Sequence, residues 1–131
     1  ILDKYGNKSS GKIARLTFAN ICYDAGKYEQ AIELYRQSLP DFEKHPVIYS
    51  QVLSSLGYAF EQRDDYAGAA GYFEKLSLTQ ESTLRGEALF NLGRIYDKLG
   101  QTEKSKAAFK KILSDHQDFM YIDRSTKKLA G

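Results

Sequence analysis

Bulky, small and polar positions recur in register three times along this chain. The stretches ARLTFANICYDAGKYEQAIELYRQSL from Ala14, VLSSLGYAFEQRDDYAGAAGYFEKLS from Val52 and ALFNLGRIYDKLGQTEKSKAAFKKIL from Ala88 align without a gap, with starts 38 and 36 residues apart. In each, a large apolar residue (Phe18, Leu56, Leu92) precedes a small one (Ala19, Gly57, Gly93), and Cys22, Phe60 or Tyr96 follows three positions later. That spacing gathers them on one face of a helix. A break comes at Gly26, Asp64 and Gly100, residue types that accept the positive φ on which helices end. Five residues on, Ala31, Ala69 and Ser105 are small again, and four later stand Tyr35, Phe73 and Phe109, a second helical face.

Each unit therefore reads as two helices and a short turn, with a small residue on each helix where the backbones approach. Neither helix hides its apolar face alone, so the units must stack. The pattern predicts helices over 12–25, 28–39, 47–62, 66–77, 82–98 and 102–114. Pro46 suits the first turn of the third, where a missing N–H costs nothing. Gly68 and Gly71 fall inside a predicted helix at a cost of roughly 1 kcal/mol each against alanine, and are read as places of close helix packing. Ile1 and Leu2 hold the place before the first unit that Ser38 and Leu76 hold before the next two, and read as the last turn of a preceding helix. Phe119, Ile122, Thr126 and Leu129 recur at helical spacing in a segment basic near its end, expected to be a capping helix over about 119–130.

These columns resemble the tetratricopeptide repeat, whose pattern places a large residue, Leu-Gly, Tyr, Ala, Phe and a closing Pro at fixed offsets. The resemblance covers about residues 12 to 114. It implies an all-α fold, an α-solenoid of three helix-turn-helix repeats (about 12–45, 50–83 and 86–117) with the capping helix, one domain across 1–131. Arg15 stands where a large aromatic belongs, Ser105 replaces an alanine, and the closing proline is displaced to Pro40 and Pro46.

The resemblance also implies that the first helix of each repeat lines a concave face. The inward columns then hold Asn20 and Tyr23, Tyr58 and Glu61, and Phe90 and Arg94, and these six are the candidate partner-binding groove. Asn20 can bond a peptide backbone, the aromatics offer contact area at small entropic cost, and Arg94 can hold a carboxylate or carbonyl. A subset of the family clamps the carboxylate tail of chaperones through five basic and amide side chains. Only Asn20 fits that clamp here, because Leu16, Ser55, Glu87 and Asn91 hold the other four positions, so tail capture is not expected.

Composition narrows the chemistry. The 131 residues carry 19 basic and 17 acidic side chains, interspersed, without the basic stripe that nucleic acid binding requires. Lys110 with Lys111, and Lys127 with Lys128, read as solvated helix faces. His45 and His116 fall in different connections and cannot converge on one site. The single cysteine, Cys22, holds an apolar column and reads as packing. Scattered glycines make no phosphate loop, and Asp64 and Asp65 lack the spacing of a calcium loop. No catalytic residue, metal site or cofactor is expected; the chain is read as no enzyme.

The expected function is a scaffold that holds a peptide or helix of a protein partner, without nucleic acid and without direct membrane contact. Two alternatives are a self-associating module that forms homo-oligomers and an accessory domain of a larger enzyme. The run KYGNKSSGKIARLTFANICYDAGKYEQAIELY further resembles membrane-anchored periplasmic repeat proteins similar to the ancillary subunit of the bacterial Sec translocon. That places the leading expectation for location in the periplasm, anchored through an upstream segment, with the cytoplasm as the alternative. The chain starts without an initiator methionine and is expected to be a piece of a longer one.

Overall fold

Three helix ends in this chain are built the same way. Gly26, Asp64 and Gly100 adopt φ of 77°, 58° and 75°. At each, the following N–H reaches back over the turn: Lys27 to the Cys22 carbonyl (2.8 Å), Asp65 to Phe60 (3.0 Å) and Gln101 to Tyr96 (2.8 Å). The left-handed residue itself donates to Tyr23, Glu61 or Asp97, so two carbonyls that the helix end leaves open are satisfied. Asp64 is the strained member, since a Cβ disfavours that φ.

The computed structural model describes residues 9–79, 82–115 and 122–130. Its seven α-helices are α1 (Ser9–Asp24), α2 (Tyr28–Ser38), α3 (Pro46–Gln62), α4 (Tyr66–Ser77), α5 (Arg85–Lys98), α6 (Thr102–Asp115) and α7 (Ile122–Ala130). Short 3-10 turns at Leu39–Phe42 and Ser82–Leu84 lead from one pair to the next. No strand occurs among the described residues. Each helix packs on the next in sequence, α1 on α2 through α6 on α7, as a solenoid requires. The expected helix at 82 begins instead at Arg85, because Ser82, Thr83 and Leu84 form the 3-10 turn. Asp65 caps α4, its carboxylate accepting from the Gly68 N–H at 3.0 Å.

The small residues lie where the pattern put them. A Cβ on Gly57 would stand 2.6 Å from the Phe73 ring, and one on Gly93 would collide with Phe109 in the same way. Ala19 is fully buried in the equivalent column, sixteen residues ahead of the buried Tyr35. Burial of rings such as Phe73 and Tyr35 contributes about 1.5–3 kcal/mol each. Gly68 also fits its reading, since a Cβ there would meet Phe60 at 2.7 Å. Gly71 does not: it is exposed, with nothing within 4 Å of a built Cβ. Arg15, the departure from the aromatic column, pairs with Asp41 at 2.8 Å and ties α1 to the turn after α2.

The two ends of the stack differ. Leu56 and Leu92 are 0% and 4% exposed, whereas Phe18 in the same column is 48% exposed and Ile21 beside it 56%. In the second repeat, α2 covers that side of α3, with the Arg36 guanidinium 5.3 Å above the Phe60 ring. In the third, the Tyr96 hydroxyl of α5 donates to Glu74 of α4. At the other end α7 closes the core: Ser125 is fully buried, Leu129 packs against the apolar cluster, and Asp123, Arg124, Thr126, Lys127 and Lys128 are exposed. Ile1, Leu2 and Phe119, on which the expectations for the two termini partly rest, lie outside the described residues.

Candidate functional site

The first helix of each repeat and the helix that follows two places later frame a gap, floored by the helix between them. Between α1 and α3 the floor is Tyr35 of α2, and the rim is Asn20, Tyr23 and Asp24 on one side with Ser55 and Tyr58 on the other. The hollow is open and holds about 430 Å³. Three of the six expected groove residues thus meet in one place. The Tyr35 hydroxyl donates to Asn20 Oδ1 at 2.5 Å, which leaves the Nδ2 protons as the donors that the amide has to offer. Tyr23 is half-buried and stands edge-on to Tyr28, ring centroids 5.3 Å apart. Burial first, then the neighbouring Tyr28 hydroxyl, raises its pKa, against a side-chain hydrogen bond with Gln62 of α3 that lowers it.

Between α3 and α5 the same frame is closed by side chains. Glu61 receives Arg94 through both carboxylate oxygens, Nη1 at 2.9 Å and Nη2 at 3.1 Å. Arg94 Nη2 also donates to Asn91 Oδ1 at 2.8 Å, and Asn91 Nδ2 donates to the Tyr58 hydroxyl at 2.8 Å. Tyr58 in turn donates to Glu87 Oε1 at 2.6 Å, and Lys98 Nζ lies 3.9 Å from Glu61. This chain joins helices that are 29 to 33 residues apart in sequence. Burial is the main reason the Tyr58 pKa is raised, and its hydrogen bond to Glu87 adds to it. The forked Arg94–Glu61 pair uses the geometry in which guanidinium and carboxylate match best.

The expected residues therefore divide. Asn20, Tyr23 and Tyr58 surround an open hollow, and Glu61 and Arg94 hold each other. Phe90 requires a correction. It is 6% exposed, its ring 5.7 Å from that of Phe109 at 69°, and it belongs to the core. The reason is local: Gly93 lets the Phe109 ring come against α5, and Phe90 covers that ring's edge. Leu16 and Ser54 hold the same column in the other repeats and are only half-buried. Asn91 and Glu87, weighed only against the chaperone clamp, belong to the polar network; the three-to-four residue spacing of Glu87, Asn91 and Arg94 on one helix was the signal for it.

A further open cleft lies past the third repeat, between α5 and α7 over α6, about 560 Å³ in volume. Among the described residues no group of three or more His, Cys, Asp or Glu could hold a metal. Nor is any described helix long and apolar enough to cross a membrane. Cys22 is buried. His45 is exposed just ahead of α3, edge-on to Phe42, and His116 lies outside the described residues.

Known proteins share this architecture. The crystal structure of BtubC (BKLC) from P. vanneervenii superposes with a TM-score of 0.68 at 18% identity, over 95% of this chain and 48% of that one. In sequence, the human Intraflagellar transport protein 88 homolog is 28% identical over 109 residues, 81% of this chain. The chain spans only 13% of that relative's length. Tetratricopeptide repeat models match residues 16–82 and 86–114. Repeats of this kind generally mediate contacts between proteins and are generally not catalytic. With its spacing, its crossings and these matches in agreement, the chain belongs to the tetratricopeptide repeat family.

Proposed function

We propose that this chain is a scaffold that grips an extended peptide or a helix of a protein partner along its concave face, chiefly in the hollow between α1 and α3. The observation that carries the reading is the meeting of Asn20, Tyr23 and Tyr58 around an open space of about 430 Å³. The Asn20 amide, the Tyr23 phenol and the Asp24 carboxylate supply donors and acceptors for a peptide backbone, while Tyr58, its hydroxyl held by Glu87 and Asn91, supplies contact area with its ring. Arg94 contributes less directly than its type implies, because Glu61 and Asn91 engage three of its five donors.

Photocrosslinking tests this. A benzophenone side chain at position 23 or 24 is expected to capture a discrete partner in the source cell, while one at Lys104 on α6 captures none. Equal capture from both positions, or capture from Lys104 alone, removes the groove from the reading.

A second reading, self-association through α1, is favoured by the exposure of Phe18 and Ile21. It expects a dimer that Phe18→Glu disperses; a monomer by sedimentation across the micromolar range ends it. Membership of a bacterial envelope assembly is carried as part of the proposal on the resemblance of Lys4 to Tyr35 alone. Fractionation of the source cell that leaves the protein wholly in the cytoplasm would remove it.

A further inference from the structure

The cleft beyond the third repeat is unlike the hollow at the first. Four cationic side chains from two helices converge on it: Lys106 from α6, and Arg124, Lys127 and Lys128 from α7. Arg124 has an interaction of its own, a fifth cation, Arg94 of α5, is neutralised by Glu61, and one carboxylate, Asp97, stands on the wall. Among the described residues, Lys106, Lys127 and Lys128 form no ion pair. Two of these lysines sit in the last turn of α7, where the helix dipole favours positive charge. That accounts for their presence on α7, whereas Lys106, in the second turn of α6, comes from a different helix and lies outside that account. Beneath the charges lie the buried Gly93 and Phe109, with the Ser105 hydroxyl already donated to the Gly93 carbonyl at 2.7 Å.

We propose that this cleft binds an acidic segment of a partner polypeptide, with carboxylates meeting Lys106, Lys127 and Lys128. The inference rests on the groove reading, since Arg94 and Asp97 lie on the same inward face as Tyr58 and Glu61, and it specifies which chemistry one end of the groove takes. A cleft between low-dielectric walls concentrates the field of like charges, so it selects by charge and speeds encounter more than an open patch does. The volume of about 560 Å³ is that of a site for a few side chains. An acidic peptide fits better than nucleic acid. The cations gather in one cleft, whereas phosphate backbones need a stripe that runs on, and the whole chain carries a net charge of only +2.

The test is fluorescence anisotropy of the full chain with a labelled peptide of alternating glutamate and leucine, against its glutamine counterpart and a single-stranded oligonucleotide. The glutamate peptide is expected to bind, with affinity falling about tenfold or more in the Lys127→Glu/Lys128→Glu double variant and on raising salt. Lys106→Gln removes one charge from a different helix and is expected to weaken binding by a smaller factor. These lysines are exposed, so the variants keep the fold, which circular dichroism verifies. Equal binding of the glutamine peptide, indifference to the charge reversals, or tighter binding of the oligonucleotide would overturn the proposal. Failure here with crosslinks retained at position 23 leaves the groove reading standing. Binding here without those crosslinks sinks the groove reading and leaves this cleft.

Discussion

The gap between α1 and α3 and the gap between α3 and α5 share one backbone frame and differ in what their rims do. At the first, Tyr23 meets Gln62 across the gap while Asn20 and Ser55 turn to Tyr35 on the floor, and a hollow remains. At the second, Glu61, Arg94, Asn91, Tyr58 and Glu87 are long enough to meet, and they bind one another. The family frame therefore does not decide where a partner fits. Side-chain reach in the inward columns decides it, one gap at a time.

The largest expected effect comes from breaking the frame itself. Gly57→Val would press a branched side chain into the Phe73 ring and is expected to destabilise by about 3 kcal/mol, read as a lowered midpoint in urea. An unchanged midpoint would mean that the crossing is looser than its distances. Glu61→Ala leaves Arg94 half-buried without its carboxylate and should cost about 1–3 kcal/mol. It should also open the middle gap, so a probe that binds only between α1 and α3 in the wild type would gain a second site. Tyr58→Phe removes the bridge between Glu87 and Asn91 and is expected to cost about 1–2 kcal/mol.

Tyr58 also links the comparison to pH. Its folded pKa is raised above that of the unfolded chain, so the native state holds the proton more tightly. The stabilisation is complete below the ordinary tyrosine pKa and is lost as pH rises through the folded value. Absorbance at 295 nm should show late-ionising tyrosines, and Tyr58→Phe should remove part of that component. Tyr96, raised by burial and by its bond to Glu74, should supply another part. The smallest effect is a gain: Gly71→Ala, at an exposed helical site with open space, is expected to stabilise by about 0.5–1 kcal/mol.

Much of the frame was legible in the sequence because packing repeats. Ala19, Gly57 and Gly93 occupy equivalent crossings, and Gly26, Asp64 and Gly100 end helices with the same pair of hydrogen bonds. A column of sizes is enough to predict that. The site was only half legible because inwardness is not availability. Phe90 and Tyr58 share the inward face, yet one is sealed against Phe109 and the other stands on the rim of a hollow. Arg94 has the same type and column whether or not Glu61 sits across from it. Gly71 misled for the opposite reason, since a glycine that permits close approach does not oblige a neighbour to make one.

The bare flank of α1 has a consequence for motion. Phe18 and Ile21 keep water contact that Leu56 and Ile95 have lost, so among the described residues this flank of α1 buries less apolar surface than the same flank of α3 and α5. Opening should therefore begin there, with amide protons of α1 exchanging before those of α3. A ligand spanning Tyr23 and Tyr58 would clamp the least protected unit to a better protected one, and its arrival would register first as slowed exchange in α1.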